Sequence, residues 1–301
     1  MKKLSVLIFF SILFSCDNNE ELVIQSSNNI NISGTGSFIF SQYPLTGNKT
    51  VEIFYHLPPQ ISNSTPILFV IHGADRNASQ SRDVLINEAN QKGFIIISPE
   101  FNSVYFPGGD SFNLANIFVD GDNPTLQTLN NKENWTTSII DPLFDLFSSS
   151  IGNTNLNYDL IGFSAGGQFA HRFLIFNQSQ KCNRIIAISS GWYTTLDESI
   201  SFPYGVKDSP LDINTVTNLL SKELTILIGE NDNDPNDSGL RRNSIVDQQG
   251  VNRFTRANYF YNLAENKSIE IGCSFNWSFA TLPNVGHQLS PLAVYATEIL
   301  Y

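Results

Sequence analysis

Short apolar runs punctuate the chain at residues 66–71, 94–98, 158–163, 184–189, 224–228 and 276–281. Most lack the apolar–polar alternation of a half-exposed strand, so they read as strands buried on both faces. Two earlier strand signals, 37–42 and 50–57, are joined by a turn holding Pro44 and Gly47-Asn48. Helix-period segments lie between or after the later runs, at 79–91, 135–147, 165–176, 252–264 and 288–300. Around the fourth of these, Val251, Phe254, Ala257, Tyr261 and Ala264 fall near one face. Pro142 interrupts the second, and Asp141-Pro142 offers an N-cap followed by a first-turn proline. An opening hairpin followed by alternating strands and helices predicts an α/β fold. Its sheet has eight strands, mostly parallel, with helices on both faces and right-handed crossovers. Residues 101–133, rich in Asn, Asp, Gly and aromatics, read as one long loop insertion.

At 301 residues and 41% hydrophobic, the chain has material for one large core. A net charge of -11 and the lack of any basic run give phosphates no counter-charge. Nucleic-acid binding is therefore excluded. Lys2 and Lys3 precede an apolar run over 4–14, then Ser15-Cys16. That run is too short for an ordinary membrane span and suits the core of an export signal. Residues 13–16 resemble a bacterial lipoprotein signal, which implies a lipid on Cys16 and anchoring to the cell envelope, at the outer membrane or cell surface. Plain secretion is the alternative. Residues 17–35, acidic and then Asn/Ser-rich, read as a flexible tether. Two further cysteines, Cys182 and Cys273, each precede a predicted strand. An exported chain permits a disulfide between them, and their spacing has no metal pattern.

The chemistry centres on Gly162-Phe163-Ser164-Ala165-Gly166, between a predicted strand and a predicted helix. The Gly-x-Ser-x-Gly turn holds a serine on a sharp, strained bend, with its hydroxyl lifted clear of the sheet. The flanking glycines avoid collision with the neighbouring strand and helix. In such sheets reacting groups gather at the carboxyl ends of the strands. After the third strand comes His72-Gly73-Ala74-Asp75, whose glycine lets the backbone turn toward the serine. The N–H groups of Ala74 and Ala165 are the candidates for stabilising an oxyanion. After the seventh strand, Asp232 and Asp234 are rival carboxylates, and the spacing Gly229-x-x-Asp232 favours the first. After the eighth strand, Gly286-His287 supplies the best of the four histidines as base. His72 precedes the serine, the wrong order for this architecture, while His56 and His171 suit packing or surface roles. The chain order Ser164, Asp232, His287 is the Ser…Asp…His order of hydrolases built this way.

These residues resemble those of the α/β-hydrolase fold over nearly the whole chain after the export segment. Within that superfamily the chain is similar to secreted esterases of the polyhydroxybutyrate-depolymerase and feruloyl-esterase kind. The resembling segments are 162–173, 190–194, 229–235, 249–253 and 283–287. The resemblance implies a catalytic domain over 36–301 and a small or polymeric ester as substrate. Ester cleavage would run through an acyl-enzyme on Ser164, with His287 as base, Asp232 behind it, and no metal or organic cofactor. The chain is expected to act as a monomer, touching membrane only through its lipid. Gly73, Trp192, Tyr193, Tyr105 and Phe106 are expected to line the pocket. Arg241, Arg242, Arg253 and Arg256 follow the acid loop, and with 28 acidic residues present they are expected to form ion pairs. A serine peptidase or acyltransferase with the same residues is the enzymatic alternative. A non-catalytic binding lipoprotein is the non-enzymatic one.

Overall fold

Apolar residues at alternate positions of each central strand feed two separate cores, which is why those strands read as uninterrupted apolar runs. In the computed structural model, which describes residues 32–41 and 49–301, eight strands form one sheet. They are β1 (Thr35–Phe40), β2 (Val51–His56), β3 (Ile67–Ile71), β4 (Ile95–Glu100), β5 (Tyr158–Phe163), β6 (Cys182–Ile188), β7 (Glu223–Gly229) and β8 (Trp277–Leu282). The order across the sheet is β1-β2-β4-β3-β5-β6-β7-β8. β1–β2 and β2–β4 are antiparallel, and the other neighbours are parallel. The expected export segment, Cys16, most of the tether and the turn at Pro44 and Gly47 lie outside the described residues.

Among the described residues seven α-helices cover the sheet: α1 (Ala78–Asp83), α2 (Ile86–Lys92), α3 (Ile140–Ile151), α4 (Ala165–Arg172), α5 (Val216–Leu220), α6 (Arg253–Ile271) and α7 (Leu289–Leu300). Ile67, Phe69 and Ile71 of β3 join one core with Phe144 and Phe147 of α3, Phe169 of α4 and Phe260 of α6. Leu68 and Val70 of the same strand join the other, with Leu85, Ala89 of α2, and Leu292 and Ala296 of α7. Each side chain buried this way contributes about 1.5–3 kcal/mol.

Several boundaries differ from the sequence reading, each for a local reason. The expected helix 79–91 is two helices, the first capped by Asn77, whose side chain accepts from the Gln80 N–H. Asp141 does not cap α3. The helix starts at Ile140, two residues earlier, and Pro142 sits in its first turn, where a missing N–H removes no intrahelical bond. The Asp141 carboxylate instead accepts from the Tyr158 hydroxyl at 2.6 Å and the Ser179 hydroxyl at 2.7 Å. α4 widens into a π-turn at Phe173–Asn177. α6 runs on to a left-handed cap at Gly272, through polar residues with no apolar period to mark them.

Cys182 and Cys273 are free, so the disulfide that export would permit is not formed. Cys182 opens β6 and Cys273 lies in the loop before β8, with β7 between those strands.

Residues 101–133 are not a solvent loop. Phe101, Phe106, Phe112, Leu114, Ile117 and Phe118 are all buried in the first core. Phe101 stacks on Phe169 of α4 at 5.4 Å and meets Phe106 edge-on at 5.2 Å. The insertion is thus held by aromatic contacts to the helix that follows the serine.

The serine turn depends on backbone touching backbone. A Cβ at Gly166 would lie 2.2 Å from the Ile71 carbonyl oxygen and 2.6 Å from that of His72. A Cβ at Gly162 would lie 2.1 Å from the Gly166 carbonyl oxygen. No side-chain rotation relieves either contact. Gly166→Ala is therefore expected to destabilise the fold by about 2–3 kcal/mol in urea unfolding. An unchanged midpoint would contradict the close approach.

Candidate active site

Ser164 lies between β5 and α4, as the N-cap of α4, with φ 57° and ψ −113°, a conformation that L residues rarely adopt. Two backbone bonds hold it there. The Ser164 N–H donates to the Ile188 carbonyl of β6 at 2.8 Å, and the Gln168 N–H donates to the Ser164 carbonyl at 3.0 Å. The bend aims the hydroxyl above the sheet, at the carboxyl ends of the strands. Ala165 is the first residue of α4, so its N–H has no intrahelical partner.

The loops after β7 and β8 are laced together. The Glu230 N–H donates to the Leu282 carbonyl at 3.0 Å, and the Asn231 N–H to the Val285 carbonyl at 2.8 Å. Asp232 turns back to bond the Gly229 carbonyl through its own N–H at 3.0 Å. This lacing delivers Asp232 to His287. The His287 Nδ1 lies 2.7 Å from Asp232 Oδ2, and its Nε2 lies 3.0 Å from the Ser164 Oγ. The imidazole is also covered by the Phe163 ring, centroids 4.7 Å apart. With Nδ1 donating to the carboxylate, Nε2 is left to accept the serine proton.

Asp232 is 4% exposed. Asp234 is exposed, and its carboxylate accepts from the Asn236 N–H in a local turn. The rivalry left open by the sequence is settled in favour of Asp232 as the partner of His287. The other three histidines are engaged elsewhere. His72 is fully buried; its Nδ1 donates to the Gly73 carbonyl at 2.9 Å and its Nε2 accepts from the Phe101 N–H at 3.0 Å. His171 likewise donates to the Gly167 carbonyl and accepts from the Thr194 N–H, both at 3.0 Å. His56 bonds Thr35 and Asn90. Burial pushes the His72 imidazole down to about 4, and the His171 imidazole well below its ordinary value.

Ala74 is exposed at the tip of a tight turn closed by the Arg76 N–H bonding the Gly73 carbonyl at 3.2 Å. Because Gly166 lies against the Ile71 and His72 carbonyls, that tip and the start of α4 are neighbours.

The expected pocket residues divide. Trp192 and Tyr193 are buried and are not open walls. Trp192 is packed between the guanidinium groups of Arg172, at 4.3 Å, and Arg241, at 5.1 Å, with Tyr204 alongside. Tyr193 is stacked on Phe260 at 4.4 Å. Phe106 belongs to the aromatic core, and Gly73 is buried beside Phe163. Tyr105 remains half-exposed. Trp192, Tyr193 and Phe106 are claimed by packing, which apolar character alone does not distinguish from ligand contact. The arginines are ion-paired as expected: Arg241 with Asp122, Arg242 with Asp247, Arg256 with Asp247, and Arg253 with Asp237 and Asp232. That Arg253 reaches Asp232 itself left no trace in spacing. A cavity of about 300 Å³ lies at the opposite end of β6, lined by Phe173, Leu174, Cys182 and Lys222 among others, away from Ser164. Among the described residues no group of three or more His, Cys, Asp or Glu side chains is placed to hold a metal ion.

An alcohol within reach of an imidazole backed by a carboxylate, beside a helix N-terminus, is equipped for acyl transfer. Similarity to known proteins agrees. Poly(aspartic acid) hydrolase-1 from Sphingomonas sp. KT-1 is 34% identical, with TM-score 0.83, matching 88% of this chain and 98% of its own. The LpqC poly(3-hydroxybutyrate) depolymerase from Bordetella parapertussis is 23% identical, with TM-score 0.84 and 91% of each chain matched. The FphF fluorophosphonate-binding serine hydrolase of Staphylococcus aureus shares the fold at 12% identity and TM-score 0.56, over 89% of this chain and 99% of its own. No protein-family model and no curated protein sequence matches the chain. The chain has the α/β-hydrolase fold and belongs to the hydrolase family of poly(aspartic acid) hydrolase-1.

The buried histidines carry a stability signature. An unfolded His72 takes up a proton below about 6.5, but the folded one only near pH 4. Its contribution is therefore intact above pH 6.5 and is lost as pH falls toward 4, at about 1.4 kcal/mol per unit. His72→Gln is expected to show a flatter loss of stability than wild type between pH 7 and pH 4.5 in urea unfolding. Parallel curves would contradict a neutral buried imidazole.

Proposed function

We propose that this hydrolase cleaves carboxylic esters through an acyl-enzyme on Ser164. The observation that carries this reading is the unbroken chain of hydrogen bonds from Ser164 through His287 to Asp232. His287 takes the serine proton as the oxygen attacks the ester carbonyl, becoming an imidazolium that Asp232 stabilises. The oxyanion is received by the Ala165 and Ala74 N–H groups; losing one such donor typically costs about 10²–10³ in rate. His287 then returns its proton to the departing alcohol. Water, activated by the same imidazole, releases the acid.

Amide cleavage is the second reading, favoured by one specific observation: the 34%-identical neighbour is a poly(aspartic acid) hydrolase. The charge of this chain argues the other way. It carries a net −11, and the arginines beyond the acid loop are paired with its own carboxylates. A polyanion would meet repulsion and few free cations. An uncharged polymeric or small ester fits better.

We further propose a catalytic domain over 36–301 acting as a monomer. It would be exported and held at the cell envelope by a lipid on Cys16 through the 17–35 tether. Lys2, Lys3, the apolar run and the Ser15-Cys16 junction support this.

Two outcomes are expected. Ser164→Ala lowers turnover of a short p-nitrophenyl ester by at least about 10⁴-fold, while wild type shows no comparable turnover of an oligo-aspartate. Turnover retained in the variant would remove Ser164 as nucleophile. In a bacterial host, Cys16→Ser moves the protein from the membrane fraction to the soluble one; an unchanged distribution would refute the anchor.

A further inference from the structure

Behind the hydrogen-bonded chain lies a buried cation. Arg253 is the first residue of α6, and its side chain is 5% exposed. Its Nη1 donates to Asp232 Oδ1 at 3.3 Å, the oxygen that His287 does not use. The same guanidinium reaches Asp237, with Nη1 3.0 Å from Oδ2 and Nη2 donating to Oδ1 at 3.2 Å. One cation therefore joins two carboxylates, of which only Asp232 touches the imidazole.

The backbone holds this arrangement in place. The Phe254 N–H donates to the Asp232 carbonyl at 3.0 Å, so the first turn of α6 is fastened to the acid itself. Asn252 caps that turn in a reciprocal box with Thr255. The Gly239 N–H donates to Asp237 Oδ1 at 2.8 Å. The guanidinium is a planar fork fixed by packing, so the Asp232 carboxylate cannot rotate without breaking one of its bonds.

The electrostatic consequence follows from sign. A buried carboxylate facing only an imidazole would hold the imidazolium strongly and make it a poor proton donor to the leaving group. A cation on its far side weakens that hold, and a second carboxylate beyond the cation restores part of it. Resting on the proposed Ser164–His287–Asp232 reading, we propose that Arg253 is a positioning residue of the reaction. It fixes the Asp232 carboxylate and, with Asp237, sets how firmly that carboxylate holds the charged form of His287.

The surrounding groups fit this division. From the β7 loop come Asp232, Asp237 and the exposed Glu230 and Asp234. From α6 come Arg253 and, one turn on, Arg256, which is paired with Asp247 at 3.1 Å. Arg242 also pairs with Asp247. The loop after β6 contributes the buried Tyr193 phenol, pushed up by burial. The β3 loop contributes the exposed Asp75, and β5 only the uncharged Phe163 ring. Arg253 holds the Asp237 carboxyl below the usual carboxylate range, and His287 acts on it in the same sense.

The test is the pH dependence of kcat and KM on a short p-nitrophenyl ester, measured on the full chain. Arg253→Met lowers kcat by about 10-fold or more with KM within about twofold, because Asp232 loses its fixed orientation. Its acid limb moves upward by about half a pH unit or more, because the imidazolium is now held more firmly. Asp237→Asn moves the limb the opposite way, downward. Arg253→Lys returns the limb toward wild type while kcat stays reduced, since an ammonium restores charge without the fork. Packing alone would not move the two limbs in opposite directions. Limbs that coincide with wild type, or shift together, overturn the proposal. If Arg253→Met fails to fold, Asp237→Asn decides alone, and an unmoved limb overturns it. Turnover retained in Ser164→Ala is a separate failure, that of the underlying reading.

Discussion

The backbone of Ser164, held at positive φ, is the constraint from which the site is built. Such a residue carries strain of order 1–3 kcal/mol, and it persists only where its surroundings over-determine it. Here they do. The Ser164 N–H is tied to β6, its carbonyl starts α4, and two glycines let strand, helix and turn meet backbone to backbone. On one side the turn is pressed by the aromatic core of Phe101, Phe106, Phe112 and Phe169. The long insertion thus braces, through packing, the helix that follows the serine.

The base and the acid rest on a different device. His287 and Asp232 sit in two loops, and what joins them is a pair of backbone bonds from residues 230 and 231 to residues 282 and 285. Their meeting therefore depends on the pairing of β7 with β8 more than on any side chain. Donors and dipoles held this way need little reorganisation when charge develops. Asp232 adds a buried negative charge, which is tolerable only when compensated. The imidazole takes one of its oxygens and Arg253 the other. The same logic places cations elsewhere in this acidic chain: Arg184 with Asp159 at 2.7 Å, and Arg256 with Asp247.

Much of this was legible in the sequence because it rests on local patterns. Strands buried on both faces leave apolar runs, and β5 was read to its ends, Tyr158–Phe163. Gly162 and Gly166 marked a steric need, and the Gly229-x-x-Asp232 spacing reflects the turn closed by the Asp232 N–H on the Gly229 carbonyl. What stayed hidden was long-range. The choice between Asp232 and Asp234 needed the lacing of two loops. The buried state of Trp192 and Tyr193 needed their partners Arg172, Arg241 and Phe260, brought from distant parts of the chain. That Cys182 and Cys273 stay unpaired needed the tertiary fold. Arg253 looked like any other surface-pairing arginine until α6 was placed against the acid loop.

The central claim is that the hydroxyl of Ser164 is activated by His287. The most direct measurement is the rate and site of covalent labelling by a fluorophosphonate, mapped by mass spectrometry of peptides from wild type and His287→Ala. A single adduct on Ser164 is expected, formed in wild type at least about 10³-fold faster than in the variant. An adduct on another residue, or an undiminished rate without the imidazole, would contradict it.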